Sequence, residues 1–103
     1  MSLSPKRKAR IAAMGGRVTT VEEWLDLSAE EVAVIDMKIQ LGQELRDLRQ
    51  RKHLSQEEAA ELLHTSQGRV SKMEKGRASL DQLTRSLFVL GQSKRGLARV
   101  LLK

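Results

Sequence analysis

The stretch from Leu54 to Gly76, LSQEEAAELLHTSQGRVSKMEKG, predicts two short helices joined by a tight turn. Ser55 and Glu58 have the spacing of a capping box, in which each side chain bonds the other residue's backbone N–H, so a helix starts there. Ser66 is placed to cap the second helix and Gly76 to end it. The link between the two helices is only about three residues long, as a steeply crossing helix pair requires.

The second predicted helix has one apolar and one polar face. Val70 and Met73 are three residues apart and therefore point to the same side. The opposite side carries Gln67, Arg69 and Lys72. Gln, Arg and Lys side chains pair with base edges in the DNA major groove, and a helix fits that groove. The pattern therefore predicts a helix that contacts bases.

The same stretch resembles the Cro/cI-type (Xre) helix-turn-helix family. The positions that match the family pattern are Leu54, Ser55, Gln56, Glu57, Glu58, Ala60, Leu63, Ser66, Gln67, Val70, Ser71, Lys72, Glu74 and Gly76. The resemblance covers residues 40–91 and implies an all-α fold, a compact five-helix Cro/cI (lambda repressor-like) bundle. We expect a DNA-binding domain over residues 20–103, with its core at 40–91 and its motif at 55–76.

The family resemblance also implies roles for individual residues. Three positions correspond to base-reading side chains, and these are Gln67, Arg69 and Lys72. Five positions correspond to contacts with the DNA backbone, and these are Gln56, Ser66, Ser71, Lys75 and Arg77. Arg49 and Glu74 match a family ion pair that ties the first core helix to the recognition helix.

Three residues depart from the family pattern. His64 stands in the turn where the family has Gly, so the left-handed backbone conformation is either strained or absent. Thr65 replaces a buried aliphatic residue. Gly68 replaces a side chain that often touches DNA, and this reduces the number of bases that the helix is expected to read directly.

Amphipathic helices are predicted on both sides of the motif. One runs from about Ala29 to Arg51, and its apolar stripe consists of Val34, Met37, Leu41, Leu45 and Leu48. Another carries Leu80, Leu83, Leu87 and Leu90 and is closed by Gly91. A last helix holds Leu97, Val100, Leu101 and Leu102, which either complete the monomer core or form a homodimer interface.

The N-terminal region is expected to be an addition to the core. Residues 1–19 form a basic tail, which is either a solvated terminus or an arm that contacts DNA. Thr20 to Leu27 predicts a short helix whose Trp24 packs on the bundle or docks a partner. Residues 21–31 resemble the HigA-type, antitoxin-associated subgroup, which implies a RelE/HigB-like toxin as a possible partner.

Composition narrows the class of protein. The chain has 103 residues and a net charge of +6, a size that suits one domain and a charge that favours a polyanionic partner. There is no cysteine, and His53 and His64 have no metal-ligand spacing, so we expect no disulfide, metal or cofactor. No enzyme motif, membrane span or signal peptide is evident. We expect a bacterial cytoplasmic, nucleoid-associated protein that is not an enzyme.

These patterns predict a sequence-specific double-stranded DNA-binding transcriptional repressor that forms a homodimer. The subgroup resemblance predicts the antitoxin of a type II toxin–antitoxin pair, which represses its own operon. Two alternatives stay open: a stand-alone or phage-type repressor without a toxin, and a protein-interaction module on a helix-turn-helix scaffold.

Overall fold

The computed structural model describes residues 27–103, which form helices and turns without a strand. The helices of this part of the chain are α1 (Ala29–Arg51), α2 (Gln56–Leu62), α3 (Gln67–Glu74), α4 (Leu80–Val89) and α5 (Lys94–Leu101). The predicted all-α fold is confirmed for the described residues. The predicted tail of residues 1–19 and the predicted helix around Trp24 lie outside them. Residues 35–103 form one compact unit, whose packing is described below.

Apolar side chains from all of these helices make one core. The buried apolar residues are Leu41, Leu45, Leu48, Ala59, Ala60, Val70, Met73, Leu83, Leu87, Leu90, Leu97 and Val100. Burial of a Leu or Met side chain contributes about 1.5–3 kcal/mol to folding. Leu97 and Val100 show that α5 takes part in the monomer core, which is one of its two predicted roles.

Val34 of the predicted stripe on α1 and Leu62 on α2 are exposed. Val34 is 38% exposed, because the buried part of α1 begins only at Leu41. Leu62 is 51% exposed, because it follows the buried Ala60 by two residues and so turns to the far side of the helix. The amphipathic pattern therefore correctly predicted these helices but overestimated the extent of the core.

Serine side chains start all five of the described helices, since Ser28 also accepts the Glu31 N–H, at 3.2 Å, at the start of α1. At α2 the predicted capping box is complete: the Glu58 N–H donates to Ser55 Oγ at 3.0 Å, and the Ser55 N–H donates to Glu58 Oε1 at 2.9 Å. Ser66, Ser79 and Ser93 each accept one backbone N–H at the start of α3, α4 and α5. These bonds satisfy amide donors that a helix N-terminus otherwise leaves without partners.

The two histidines lie in turns with a left-handed backbone. The φ angles are 57° at His53, after α1, and 54° at His64, between α2 and α3. The left-handed conformation costs about 1–2 kcal/mol for a residue with a Cβ. His64 thus adopts the conformation that the family pattern assigns to Gly.

In residues 27–103, no group of three or more His, Cys, Asp or Glu side chains could hold a metal ion. None of the helices in that range is long and apolar enough to cross a membrane.

A buried carboxylate holds the start of α5 against α1. Glu44 Oε2 accepts hydrogen bonds from Gln92 Nε2 at 2.6 Å and from Arg51 Nη2 at 2.9 Å. Gln92 Oε1 in turn accepts the backbone N–H of Ser93, the capping residue of α5, at 2.9 Å. A Cβ at Gly96 would collide with the Gln92 side chain, so glycine leaves the room that this arrangement needs.

Candidate nucleic-acid interface

The helix that the sequence assigns to the major groove is α3, and its two faces differ as predicted. Val70 is fully buried and Met73 is 2% exposed, so one side of α3 belongs to the core. Gln67, Arg69 and Lys72 are exposed on the other side. The structure thus presents an amide, a guanidinium and an ammonium from two successive turns of one helix.

The end of α3 is tied down by its own backbone. Gly76 has a φ of 78° and donates its N–H to the Met73 carbonyl at 2.9 Å, and the Arg77 N–H donates to the Lys72 carbonyl at 2.9 Å. This is the hydrogen-bonding pattern of a helix that stops at a left-handed residue. The predicted role of Gly76 as the terminating residue is confirmed.

A contact between backbones fixes α3 against α1. A Cβ added at Gly42 would lie 2.5 Å from the Met73 carbonyl oxygen and 2.8 Å from the Gly76 nitrogen. A Cβ at Gly76 would likewise lie 3.0 Å from Cα of Ile39. The two glycines therefore let the helices approach more closely than any other residue would permit. Sequence analysis did not single out Gly42, although a glycine inside a long predicted helix is a signal for close packing.

An ion pair joins the same two helices, as the family pattern predicted. Arg49 Nε lies 2.6 Å from Glu74 Oε2, and Arg49 Nη2 lies 3.2 Å from Glu74 Oε1. Arg49 Nη1 also donates to the Leu54 carbonyl at 2.9 Å. Because guanidinium and carboxylate meet at two points, the pair fixes orientation as well as distance.

The ion pair continues into a chain of two amides. Gln56 Nε2 donates to Glu74 Oε1 at 3.1 Å, and Gln67 Nε2 donates to Gln56 Oε1 at 2.6 Å. A predicted backbone-contacting residue and a predicted base-reading residue are thus bonded to one another. This connection was not predicted, because the two residues lie on different helices.

One position on the exposed face of α3 is empty. Gly68 has no atom within 4 Å of the place where a Cβ would be, apart from its own neighbourhood in the helix. Between Gln67 and Arg69 the surface of α3 is therefore bare backbone. Gly68, which stands where the family pattern has a larger residue, removes a side chain from this surface and leaves no gap in the packing of the fold.

A cleft lies on each side of α3. The cleft toward α4 has a volume of about 300 Å³ and is lined by Arg69, Lys72, Met73, Arg77, Ala78 and Gln82. Three of these residues are cationic and none is acidic. An anionic group such as a phosphate would therefore meet only favourable charges in this cleft.

The cleft toward α1 and α2 has a volume of about 190 Å³ and is lined by Arg46, Arg49, Gln56, Ser71, Glu74 and Lys75. Glu74 is neutralised by Arg49, so Arg46 and Lys75 remain as the cations that determine the charge of this cleft. Sequence analysis did not assign Arg46 and Gln82 to the site, because both lie outside the matched motif, on α1 and α4, and only the packing of the helices brings them to the clefts. Of the predicted backbone-contacting residues, Gln56, Ser71, Lys75 and Arg77 line one cleft or the other, and Ser66 caps α3.

A family model described as a helix-turn-helix domain matches residues 40–100, which include the second half of α1, all of α2, α3 and α4, and α5 except its last residue. The chain belongs to this helix-turn-helix domain family. The match confirms the predicted class, a helix-turn-helix DNA-binding protein with an all-α fold. Comparison with curated proteins and with solved structures gave no match.

The helix-turn-helix domain includes α5, since the match reaches Val100 and the core of the bundle contains Leu97. It begins at Gln40, eleven residues after the start of α1. The buried part of α1 starts at Leu41, at nearly the same point. The first turns of α1 therefore precede the part of the chain that the family model matches. They lie in the N-terminal region that the sequence predicts as an addition to the core.

Proposed function

We propose that this protein is a sequence-specific transcriptional repressor that inserts α3, its recognition helix, into the major groove of double-stranded DNA. The observation that carries the proposal is the exposed face of α3, which presents Gln67, Arg69 and Lys72. Arg69 and Lys72 also line the cleft toward α4, and the second cleft that contains cations lies on the other side of α3. A helix in the major groove has a phosphate backbone on each side. The two clefts suit those two backbones.

The three exposed side chains supply base recognition in this proposal. Gln bonds the N6 and N7 edge of adenine, whereas Arg and Lys bond O6 and N7 of guanine. Gly68 brings no side chain to the groove, so α3 approaches the bases closely at that point. We propose Gln67, Arg69 and Lys72 as the residues that determine the preferred sequence.

Backbone contacts supply most of the affinity. Lys75 and Arg77 are exposed on opposite sides of the end of α3, one in each cleft. Ser71 and Gln56 offer neutral donors beside Lys75, and Arg46 adds a charge from α1. Ser66 uses its oxygen to cap α3, so its hydroxyl proton is free to donate to a phosphate. Contacts of this kind place the protein on the duplex without selecting a sequence.

We further propose that the protein binds as a homodimer, with half-sites about 34–36 Å apart, one turn of the double helix. Apolar surface outside the core supports this step: Phe88 is 44% exposed, Val89 60% and Leu102 84%. Sedimentation equilibrium at micromolar concentration is the direct test. A monomer both alone and on DNA would contradict it.

Within this class, we propose an antitoxin that represses its own operon and neutralises a RelE/HigB-like toxin. Support comes from the resemblance in residues 21–31 and from the turns of α1 that precede the family match, where Ile35 and Ile39 are each 44% exposed. A small basic protein encoded beside this gene that co-purifies with the chain would support the assignment. A gene without such a neighbour favours a stand-alone or phage-type repressor.

The decisive experiment is selection from a pool of randomised duplexes, followed by fluorescence anisotropy on the enriched sequence and on a scrambled one. We expect one enriched motif and a preference of at least about 10³-fold over scrambled DNA. Arg69→Ala and Lys72→Ala should each weaken binding to the enriched duplex by about 1–3 kcal/mol and leave binding to scrambled DNA almost unchanged.

One outcome would contradict this function, and a second would change the roles of two residues. Equal, weak binding to both duplexes would mean that only the net positive charge is sensed, and a protein-interaction module would then be the better description. Equal losses of affinity for both duplexes in Arg69→Ala and Lys72→Ala would show that these residues contact the DNA backbone and do not read bases.

A further inference from the structure

We propose that Glu74, which lies behind the DNA-facing surface, determines which end of the Gln67 amide meets a base, and that it acts through Gln56. This inference rests on the proposed function, since it concerns how α3 distinguishes bases. The Glu74 side chain is only 5% exposed and is bonded to Arg49 and Gln56. Glu74 is therefore a positioning residue that acts on DNA recognition without touching DNA.

The direction of the hydrogen-bond chain follows from the chemistry of its first member. The ionised Glu74 carboxylate only accepts hydrogen bonds, so Gln56 must turn its Nε2 toward it, at 3.1 Å. Gln56 Oε1 then faces Gln67, and this oxygen also only accepts. Gln67 must therefore donate from Nε2, at 2.6 Å. The reversed amides would bring two acceptors into contact at Glu74.

This order leaves a defined edge of Gln67 free. One N–H is used toward Gln56, while Oε1 and the second N–H remain. Together they match the N6 donor and N7 acceptor of adenine. A reversed amide would exchange donor and acceptor along the groove, and would then match the adenine of the opposite strand. Glu74 thus determines whether an A·T or a T·A pair is preferred at this position.

The expected size of the effect follows from the hydrogen bond that a reversed Gln67 would lose. One neutral hydrogen bond corresponds to about a 5-fold bias between the two orientations. The bidentate contact itself discriminates against other bases by about 5- to 150-fold. Loss of the chain should therefore weaken the preference for one strand without abolishing DNA binding.

The test begins with the motif that the full chain selects from randomised duplexes. The position read by Gln67 is the one whose preference disappears in Gln67→Ala. Dissociation constants are then measured for the selected duplex and for the same duplex with A·T and T·A exchanged at that position. In Gln56→Met, a side chain of similar length without an amide, we expect the ratio of the two constants to fall by about 5-fold.

Glu74→Gln provides a second variant, because its amide accepts or donates and so permits either direction of the chain. We expect the same fall in the ratio, with folding checked by circular dichroism. Gln56→Met keeps the Arg49–Glu74 pair, so it still tests the link on which the role of Glu74 depends if Glu74→Gln does not fold. As a control, Lys75→Gln should weaken binding to both duplexes alike and leave the ratio unchanged.

The outcomes separate this inference from the function on which it rests. If the wild-type chain enriches no motif, the proposed function fails. If a motif is enriched but Gln67→Ala affects no A·T position, or the ratio in Gln56→Met equals that of the wild type, only the role of Glu74 is overturned.

Discussion

Arg49 and Glu74 form a two-point ion pair that joins α1 to the last turn of α3, with distances of 2.6 and 3.2 Å. Their side chains are 12% and 5% exposed, so the pair is almost withdrawn from water. A pair in such surroundings contributes little net stability compared with apolar side chains of the same shape, but loss of one partner leaves an uncompensated charge. Its importance here is that it fixes the position of α3 relative to α1.

The first prediction concerns this pair. Arg49→Met should lower the free energy of unfolding by about 3 kcal/mol, because Glu74 is left buried without its counter-charge. Urea denaturation at neutral pH measures the change. The matched control is Arg85→Met, which removes the exposed Asp81–Arg85 pair on α4 and should cost less than about 0.5 kcal/mol. Similar losses in both variants would show that burial of the first pair has no energetic consequence.

The second prediction uses two glycines with opposite surroundings. Gly42→Ala should destabilise the fold by about 2–3 kcal/mol, since the new methyl group would press on the backbone of Met73 and Gly76. Gly68→Ala should instead stabilise it by about 0.5–1 kcal/mol, because it improves helix propensity in open space. Thermal unfolding of the two variants beside the wild type distinguishes them. A neutral Gly42→Ala would contradict the close approach of α1 and α3.

The third prediction concerns the clefts beside α3. In a plot of the logarithm of the DNA association constant against that of the salt concentration, each phosphate contact contributes a slope of about −0.9. Lys75→Gln, Arg77→Gln and Arg46→Gln should each reduce the steepness by about one contact. Arg99→Gln, on α5 and outside both clefts, is the control and should leave the slope unchanged.

The fourth prediction is a pH dependence of α2. The backbone N–H of Ser55, and then its side chain, hold the pKa of Glu58 below the ordinary value of 4.5. A lowered pKa in the folded state means that the bond stabilises the protein above pH 4.5 and is lost as the pH falls through the lower folded value. The difference in unfolding free energy between wild type and Glu58→Ala should therefore be constant near neutral pH and shrink below pH 4.5.

Glu57→Ala is the comparison for that experiment. Glu57 is exposed in the same first turn of α2 but is not the residue that closes the capping box. Its difference from the wild type should change less over the same range of pH. A difference for Glu58→Ala that is as large in acid as at neutral pH would show that the carboxylate does not act through its charge.

Much of the fold could be predicted because its determinants are local. Helical periodicity and capping serines are read from neighbouring residues, and the predicted span of Ala29 to Arg51 agrees with α1. The left-handed turn at His64 was anticipated as a possibility from the family pattern. The Arg49–Glu74 pair also came from that pattern, since spacing alone would not have joined residues on separate helices.

The missed features depend on how the helices meet. Periodicity assigned Val34 to the core because it is the first member of the apolar stripe of α1, but the buried part of that helix begins at Leu41. The backbone contact at Gly42 and the place of Arg46 in a cleft require the position of α3 relative to α1. The Gln56–Gln67 bond requires in addition the rotamers of both side chains, which no sequence pattern encodes.

The open space at Gly68 has an evolutionary consequence. Most positions on a small domain serve packing, and a change there disturbs folding as well as binding. At Gly68, an added Cβ would have no atom within 4 Å apart from its chain neighbours and the backbone of its own helix, so a side chain there would start in open space. A change in a single codon could therefore add a new contact with DNA while the scaffold stays intact, so a lineage of such helix-turn-helix proteins could diverge in target sequence faster than in structure.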